Sequence, residues 1–594
     1  MTFEQVLLLL RQNEQGRGVF LATPFGRRLV CYADSTATGQ HLDFVENWVA
    51  GIRPYYANTH TTTSSTGRLM TELREEARKV IERAVNASHD DVVLFVGAGA
   101  TAAANKLVGL LGFRISEPLE REHGLARHVP PEQRPVVFVG PYEHHSNQLP
   151  WLESVADVEE VNLTFDGGVD LADLSRRLEI HVDRPIKIGA FSAASNVDGL
   201  LTDVRSVART LHQGGAYACF DYATAAPYVP IDMHPEGLDE HLDAIFLSTH
   251  KFPGGPQGSG VLVANRALFR SRVPERPGGG TVDYVASFDG LSADYTQRLD
   301  EREEGGTPSI VGDLRAGAAF LVKEMSGPER IFEREVEMAA HARARLARHP
   351  RVRLLGPAEQ TRLAIFSFNV EGLHHGLAST LLDHLFGIQN RSGCSCAGPY
   401  GHRLLDIDRG RSERYRKQIA HGRLGLKPGW VRIALPYYTS EEALEFVLGA
   451  VEFVADHGRE FVPDYRLGWW DGVWRPLGGS PVDPRPPGLA LDSLLASVKE
   501  LPAVHRDAPL SEAQIGAERK RYFGDAHRAA KALRDRWQRV PPIWNPPTGL
   551  PEVDSLLWFE YVHADDVRGG CASSSGAKDG DVRTEPRLAY GKRT

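Results

Sequence analysis

The chain has 594 residues, 42% of them hydrophobic and 24% charged, with a formal net charge of -9. That is a globular composition, long enough for several domains or for one large α/β domain with additions. The negative balance argues against a protein whose main business is nucleic acid, and no run approaches the ~18 apolar residues of a membrane span.

The opening MTFEQVLLLLRQNEQGR has an apolar core of only Val6 to Leu10 and no basic leader. It reads as a short amphipathic arm, not a secretory signal, so a cytoplasmic protein with reduced thiols is expected. Residues Thr71 to Asn86 place Leu73, Ala77, Val80, Ile81, Ala84 and Val85 on one helical stripe. An apolar run, Asp91 to Val96, follows; then come the glycine turn GAGAT and a helical pattern from near Thr101. Further strands are expected at 135–140, 186–193, 216–220, 244–249 and 260–264. Apolar strands alternating with helices predict a mostly parallel sheet covered on both faces, with ligands beyond the carboxyl ends of its strands.

After residue 330 the texture changes. A helix over 331–349, a strand over 362–370, a loop with two cysteines and a strand over 429–435 predict a smaller α+β domain. It closes on a helix capped by Ser440, with Leu444, Val447, Val451 and Val454 on its stripe. The basic run RGRSERYRK, Arg409 to Lys417, reads as a solvated loop. The expected division is an arm at 1–30, a large domain at 31–330, a small domain at 331–460, an extension of unknown fold at 461–567 with a helical patch at 512–538, and a disordered tail at 568–594.

Four features stand at predicted strand ends. Lys251 closes STHK, Asp221 follows the run AYACF, GAGAT joins a strand to a helix, and His144 and His145 lie in PYEHHSNQLPW. Each alone has a bland reading as surface, cap, turn or loop. Together they meet the needs of pyridoxal phosphate: an amine to hold the aldehyde, and an acid to keep the ring nitrogen protonated. Backbone donors for a phosphate and an aromatic for the ring complete the set. Adjacent histidines point apart, which disfavours a shared metal ion, and no metal is expected. The pair Cys394 and Cys396 in RSGCSC is open to four readings: disulfide, metal site, chance pair or nucleophile. A reducing compartment weakens the first, and the lack of a matching second pair weakens the second. Cys219, inside an apolar run, reads as core, and Cys571 as a free tail thiol.

In order along the chain, YADSTATGQ, YYANTH, GAGATAAAN, EHHSNQLPW, SAASNVDG, FDYATAAPYVPIDM, STHK, GGGT, GGTP, RSGCSC and WVRIALPYYTSEE resemble the class V aminotransferase family of fold-type I pyridoxal-phosphate enzymes. The likeness is nearest to SufS-like cysteine desulfurases and to the desulfurase domain of molybdenum-cofactor sulfurases. It covers about residues 30 to 455 and implies a large, mostly parallel seven-stranded-type sheet domain with a smaller α+β domain. By this resemblance Lys251 carries the cofactor, Asp221 pairs with its ring nitrogen and His144 stacks on the ring. Asn196 and Thr224 lie near the ring oxygen, and Ala100, Thr101, Ser248 and His250 hold the phosphate. Thr281 reaches the phosphate of a partner subunit, which implies a homodimer. Arg432, with Arg391, Asn196 and His60, binds the substrate. Cys396 falls at the nucleophile position of Arg-x-Gly-x-x-Cys, with Lys251 and His144 as its catalytic partners. Two positions depart from the family pattern: Thr224 replaces a usual Gln, and Gly99-Ala100-Thr101 replaces Gly-Thr-Thr. The implied reaction turns L-cysteine into L-alanine, with sulfur held on Cys396 for an acceptor protein or small molecule. The alternatives are another class V reaction (aminotransferase, epimerase or C–S lyase) and a sulfur-delivery scaffold. Cys394 is open between relay and bystander.

Overall fold

The computed structural model describes residues 1–287, 291–478, 510–564 and 567. Seven strands form the large sheet: β1 Asp91–Val96, β2 Val136–Val139, β3 Asp157–Glu160, β4 Lys187–Ser192, β5 Tyr217–Asp221, β6 Ala244–Ser248 and β7 Gly260–Asn265, in the order β1-β7-β6-β5-β4-β2-β3. All are parallel except β7, which runs antiparallel to β1 and β6. The six expected strands are all present. β3 was not expected, because its sequence, DVEE, has one apolar residue on an edge that pairs on one side only. Both sheet faces are apolar: along β1, Val93 and Phe95 enter one cluster and Val92 and Leu94 the other. That two-sided burial is why the strands read as continuous apolar runs rather than alternating ones.

Helix α1, Ser65–Ala84, starts before the expected Thr71 because the Ser64 side chain accepts the Gly67 N–H and caps it. Helix α2, Gly99–Leu110, leaves directly from the turn after β1. Next to the large sheet, β8 Val352–Leu354, β9 Ile365–Val370, β10 Arg391–Gly393 and β11 Trp430–Ala434 form an antiparallel sheet in the order β8-β9-β11-β10. Helix α3, Pro328–Leu346, and α4, His375–Phe386, pack on it. The basic run expected as a loop is instead part of helix α5, Arg409–Ala420. Asp408 caps it by accepting the Arg411 N–H, and its apolar anchor Tyr415 is buried. Helix α6, Glu441–Phe461, is capped by Ser440 through the Ala443 N–H.

The described residues of the extension pack into the small domain's core. Hairpin strands Tyr465–Leu467 and Trp474–Pro476 and helix α7, Glu512–Arg539, bury Trp469, Trp474, Tyr522, Ala526 and Ala530 in the cluster that holds Phe366, Phe368 and Val447. The N-terminal segment joins the same cluster through Leu29 and Ala33, and Cys31–Tyr32 pairs with Ile388–Gln389. So residues 31–33, expected in the large domain, lie on the small one. Residues 479–509 and Cys571 with the tail are outside the described residues. Among the described residues no helix is long and apolar enough to cross a membrane.

Candidate active site

Three parallel strands end in polar residues at one edge: β4 in Ser192, β5 in Asp221 and β6 in Ser248. After β6 the chain makes a single helical turn, Thr249–Lys251, and after β2 a loop brings His144 over the same edge. A cavity of about 260 Å³ opens here. Its walls include Lys251, Asp221, His144, Asn196, Thr224 and Cys396, and also Ala100, Thr101, Ser248, His250, Arg391 and Arg432. These residues come from seven separate stretches of chain, gathered because ligands in such sheets sit at strand carboxyl ends.

One end of the cavity is a built anion cradle. The N-terminus of α2 lies here, an end that favours an anion, and the Ala100 N–H donates to Ser248 Oγ at 2.9 Å. Thr101 Oγ1 and Ser146 Oγ lie 2.7 Å apart. Gly99 has φ +56, and an added Cβ would stand 2.6 Å from Ser248 Oγ and 3.4 Å from His250 Nε2. The glycine therefore keeps the cradle open.

Burial sets the charge states. Lys251 is pushed down to about 8 by burial, against the pull of Asp221. Asp221 is pushed up by burial, opposed by the Ala223 N–H on Oδ1 at 2.8 Å and by Lys251. Burial and then Lys251 lower His144 to about 3 and His250 to about 4, so both rings are neutral at pH 7. Behind them Glu143 is pushed up to about 8 by burial; it accepts the Ser192 N–H at 2.7 Å and the Asn147 amide at 2.7 Å.

At the other end the β10–β11 register sets Arg391 directly across from Arg432. Like charges so placed repel, and Asp34 relieves them. Its Oδ2 accepts Arg391 Nε at 2.9 Å and its Oδ1 accepts Arg432 at 2.7 Å. Arg432 also donates to the Asn196 carbonyl at 3.0 Å, while its buried Nε has no partner among the described residues. The cysteine loop is tied down beside this pair. Asn196 Nδ2 donates to the Ser395 carbonyl at 2.8 Å, and the His145 N–H to the Cys396 carbonyl at 2.9 Å.

Two expected residues are not in the cavity of their own chain. Thr281 is buried with its hydroxyl donating to the Gly278 carbonyl at 2.7 Å. His60 reaches the Gly306 carbonyl at 3.3 Å and lies beside Gly280. Sequence reasoning missed Asp34 as a site residue, although it stands in the quoted YADSTATGQ; a lone acid there carries no local signal. It also missed Glu143, whose role as a buried acceptor shows only once β4 lies alongside. His144 and His145 point apart as expected, with ring centroids 6.3 Å from each other. Among the described residues one group could hold a metal, His212, His241 and Asp243. It lies at the opposite strand ends, where Asp243 already pairs with His212 at 2.9 Å and accepts the Ala218 N–H.

The family model for class V aminotransferases matches residues 31–447. The protein named "Probable cysteine desulfurase" in Halalkalibacterium halodurans is 32% identical over 375 residues, 62% of this chain and 84% of that protein. The apo structure of a cysteine desulfurase from Thermococcus onnurineus NA1 superposes with a TM-score of 0.58 at 26% identity, covering 72% of this chain and 95% of that one. The cysteine desulfurase CsdA from Escherichia coli shares the fold, with a TM-score of 0.55 at 23% identity over 72% and 94% of the two chains.

Proposed function

The chain belongs to the class V aminotransferase family, and from that premise we propose that it is a cysteine desulfurase, which takes sulfur from L-cysteine onto Cys396 and releases L-alanine. The family implies pyridoxal phosphate, and the residues present fit it. An amine, a buried carboxylate, a neutral imidazole and a carboxylate-free anion cradle line one cavity, and among the described residues the buried Asn196 Oδ1, Ser395 Oγ and Arg432 Nε have no partners. Lys251 would hold it by its amine, Asp221 and Thr224 by its ring, His144 by its imidazole face, and the start of α2 with Ser248 and His250 by its phosphate. When bound, the cofactor supplies an electron sink beside the amino-bearing carbon of the substrate.

The chain's own residues do the rest. Arg391 and Arg432, preorganised by Asp34, bind the substrate carboxylate, a task suited to paired guanidinium groups. Lys251 Nζ, held near 8 by burial, gives and takes a proton at neutral pH and serves as base for the substrate α-proton. Cys396 Sγ takes the substrate sulfur: an S–S bond forms and the carbon–sulfur bond breaks. L-cysteine plus a Cys396 thiol gives L-alanine plus a Cys396 persulfide, a sum that balances with no outside oxidant.

The observation that carries this reading is that Cys396 lines the same cavity as Lys251 and Arg432. Cys396→Ala is expected to keep the yellow absorbance of bound cofactor and to lose sulfide release under reducing conditions. A variant that releases sulfide at the wild-type rate would remove Cys396 from the mechanism. If wild type forms no alanine from L-cysteine while cycling another amino acid, the cavity serves a different reaction of the family. A homodimer belongs to the same reading: exposed Tyr55, Tyr56, Tyr284 and Val285 flank the segments of His60 and Thr281, outside their own cavity. Sedimentation velocity is expected to give twice the chain mass.

A further inference from the structure

Cys394 and Cys396 stand two residues apart, yet they face different spaces. Cys396 lines the active-site cavity. Cys394 lines a second cavity of about 1300 Å³ between the cysteine loop, α5 and the start of β11. The backbone makes this division: Gly393, Ser395 and Cys396 all have positive φ, at +115, +51 and +55. Left-handed backbone is unfavourable for residues other than glycine and persists where surroundings over-determine it. Here the Asn196 side chain grips the Ser395 carbonyl, and His145 grips the loop twice, through its N–H on the Cys396 carbonyl and its Nε2 on the Gly398 N–H at 3.2 Å.

The second cavity has its own chemistry. Arg416 and Lys427 bring two basic side chains, and His145, His402 and His421 bring three imidazoles. Among the described residues that line it there is no carboxylate. Trp430, 1% exposed, forms part of the wall, and its indole N–H has no acceptor among the described residues. Leu405, Ile407 and Ile419 supply apolar surface. Cations, an orphan donor and apolar walls in one concavity suit an anion with an apolar body.

Resting on the desulfurase reading, we propose that Cys394 relays sulfur from Cys396 into this second cavity, where a small anion bearing a thiol or similarly soft nucleophile accepts it. Two positions apart in the chain, the two Cα atoms stand at most about 7 Å from each other, so a local turn of the loop is enough to bring the two sulfurs together. In the step, the Cys394 thiolate attacks the outer sulfur of the Cys396 persulfide. The old S–S bond breaks, a new one forms on Cys394, and Cys396 leaves as a thiolate that takes up the proton Cys394 released. The sulfane sulfur keeps its oxidation state, so no oxidant or reductant enters. Transfer to the acceptor thiolate repeats the same exchange.

The test uses the full-length holoenzyme, L-cysteine, and mass spectrometry of alkylated peptides with fragmentation to locate the added sulfur. Without acceptor, wild type is expected to carry extra sulfur on both cysteines, Cys394→Ser on Cys396 only, and Cys396→Ser on neither. Mercaptosuccinate serves as the anionic acceptor probe and 2-mercaptoethanol as the neutral one, with transfer scored per alanine formed. Cys394→Ser is expected to lower transfer to mercaptosuccinate about tenfold. Arg416→Ala with Lys427→Ala is expected to lower the ratio of mercaptosuccinate to 2-mercaptoethanol transfer about tenfold. Alanine formation with sulfur on Cys396 and never on Cys394 would overturn the relay while leaving the desulfurase reading intact. Absence of both alanine and sulfur would instead sink the desulfurase reading. A ratio unmoved by the double substitution would overturn the small-anion acceptor and point to a macromolecule.

Discussion

Asp34 shows how one side chain governs a site it never needs to touch chemically. It holds Arg391 and Arg432 side by side across β10 and β11, where they would otherwise repel. Replacing Asp34 by Asn keeps the shape and removes the charge. On the desulfurase reading, the expected result is a KM for L-cysteine raised roughly tenfold to a hundredfold, about 1.4–2.8 kcal/mol, with a smaller change in kcat. An equal fall in kcat would mean that Asp34 acts in the chemical step. Lys251 gives a second residue-scale prediction. Its amine, lowered to about 8 by burial, is the free base above that pH and the ammonium below it. Uptake of cofactor by the stripped enzyme, followed by absorbance, is expected to accelerate up to pH about 8 and level off beyond. A rate still climbing tenfold per unit above pH 9 would show an ordinary lysine.

At the scale of elements, the site is held by where strands end and what closes on them. Gly39 lies so near the turn that carries Lys251 that an added Cβ would stand 2.0 Å from the Phe252 carbonyl oxygen; the segment after Asp34 is locked to the lysine turn by contact. Helix α3 is tied to the chain entering β9 through Glu335, whose Oε2 accepts the Ala364 N–H at 2.8 Å while Oε1 has no partner among the described residues. Burial pushes this carboxyl up to about 8. In the unfolded chain a glutamate ionises near 4.3. Between those values the unfolded state has shed its proton and the folded state has not, so stability falls as pH rises across this window. Glu335→Gln is expected to shrink the difference in Tm between pH 5 and pH 8, and an unchanged difference would place the titration elsewhere. The basic run on α5 makes a complementary point: the charge pattern is that of a solvated surface, and Asp408 with buried Tyr415 turns that surface into a helix face.

Over the whole molecule, the described residues of the extension are part of the small domain's interior rather than an appendage. Tyr522 on α7 is fully buried, and its hydroxyl accepts the Leu29 N–H at 3.0 Å; Trp474 donates to His374 Nδ1 at 3.0 Å. Removing the chain after residue 465 would strip one side of that core, so such a truncation is expected to cost the fold and not merely a docking surface. Tyr522→Ala is the milder probe. Loss of a buried aromatic ring costs roughly 3–5 kcal/mol, read as a lower Tm and denaturant midpoint, with kcat per folded molecule unchanged. A fall in kcat without a fall in Tm would assign α7 a part in the reaction.

The sequence by itself determined the seven-strand framework, save its polar edge, because buried parallel strands leave apolar runs and their carboxyl ends leave short polar signatures such as STHK and CFD. It also determined the ordered motif set, and with it the family, since those residues are local in the chain. Only the tertiary structure decided that Asp34 stands between two arginines more than 350 positions away, that His60 and Thr281 lie outside their own cavity, and that two cysteines of one loop open onto separate spaces. Those relations are set by strand register, by the handedness of a few backbone angles and by packing between distant segments. None of these is written in any one stretch of residues.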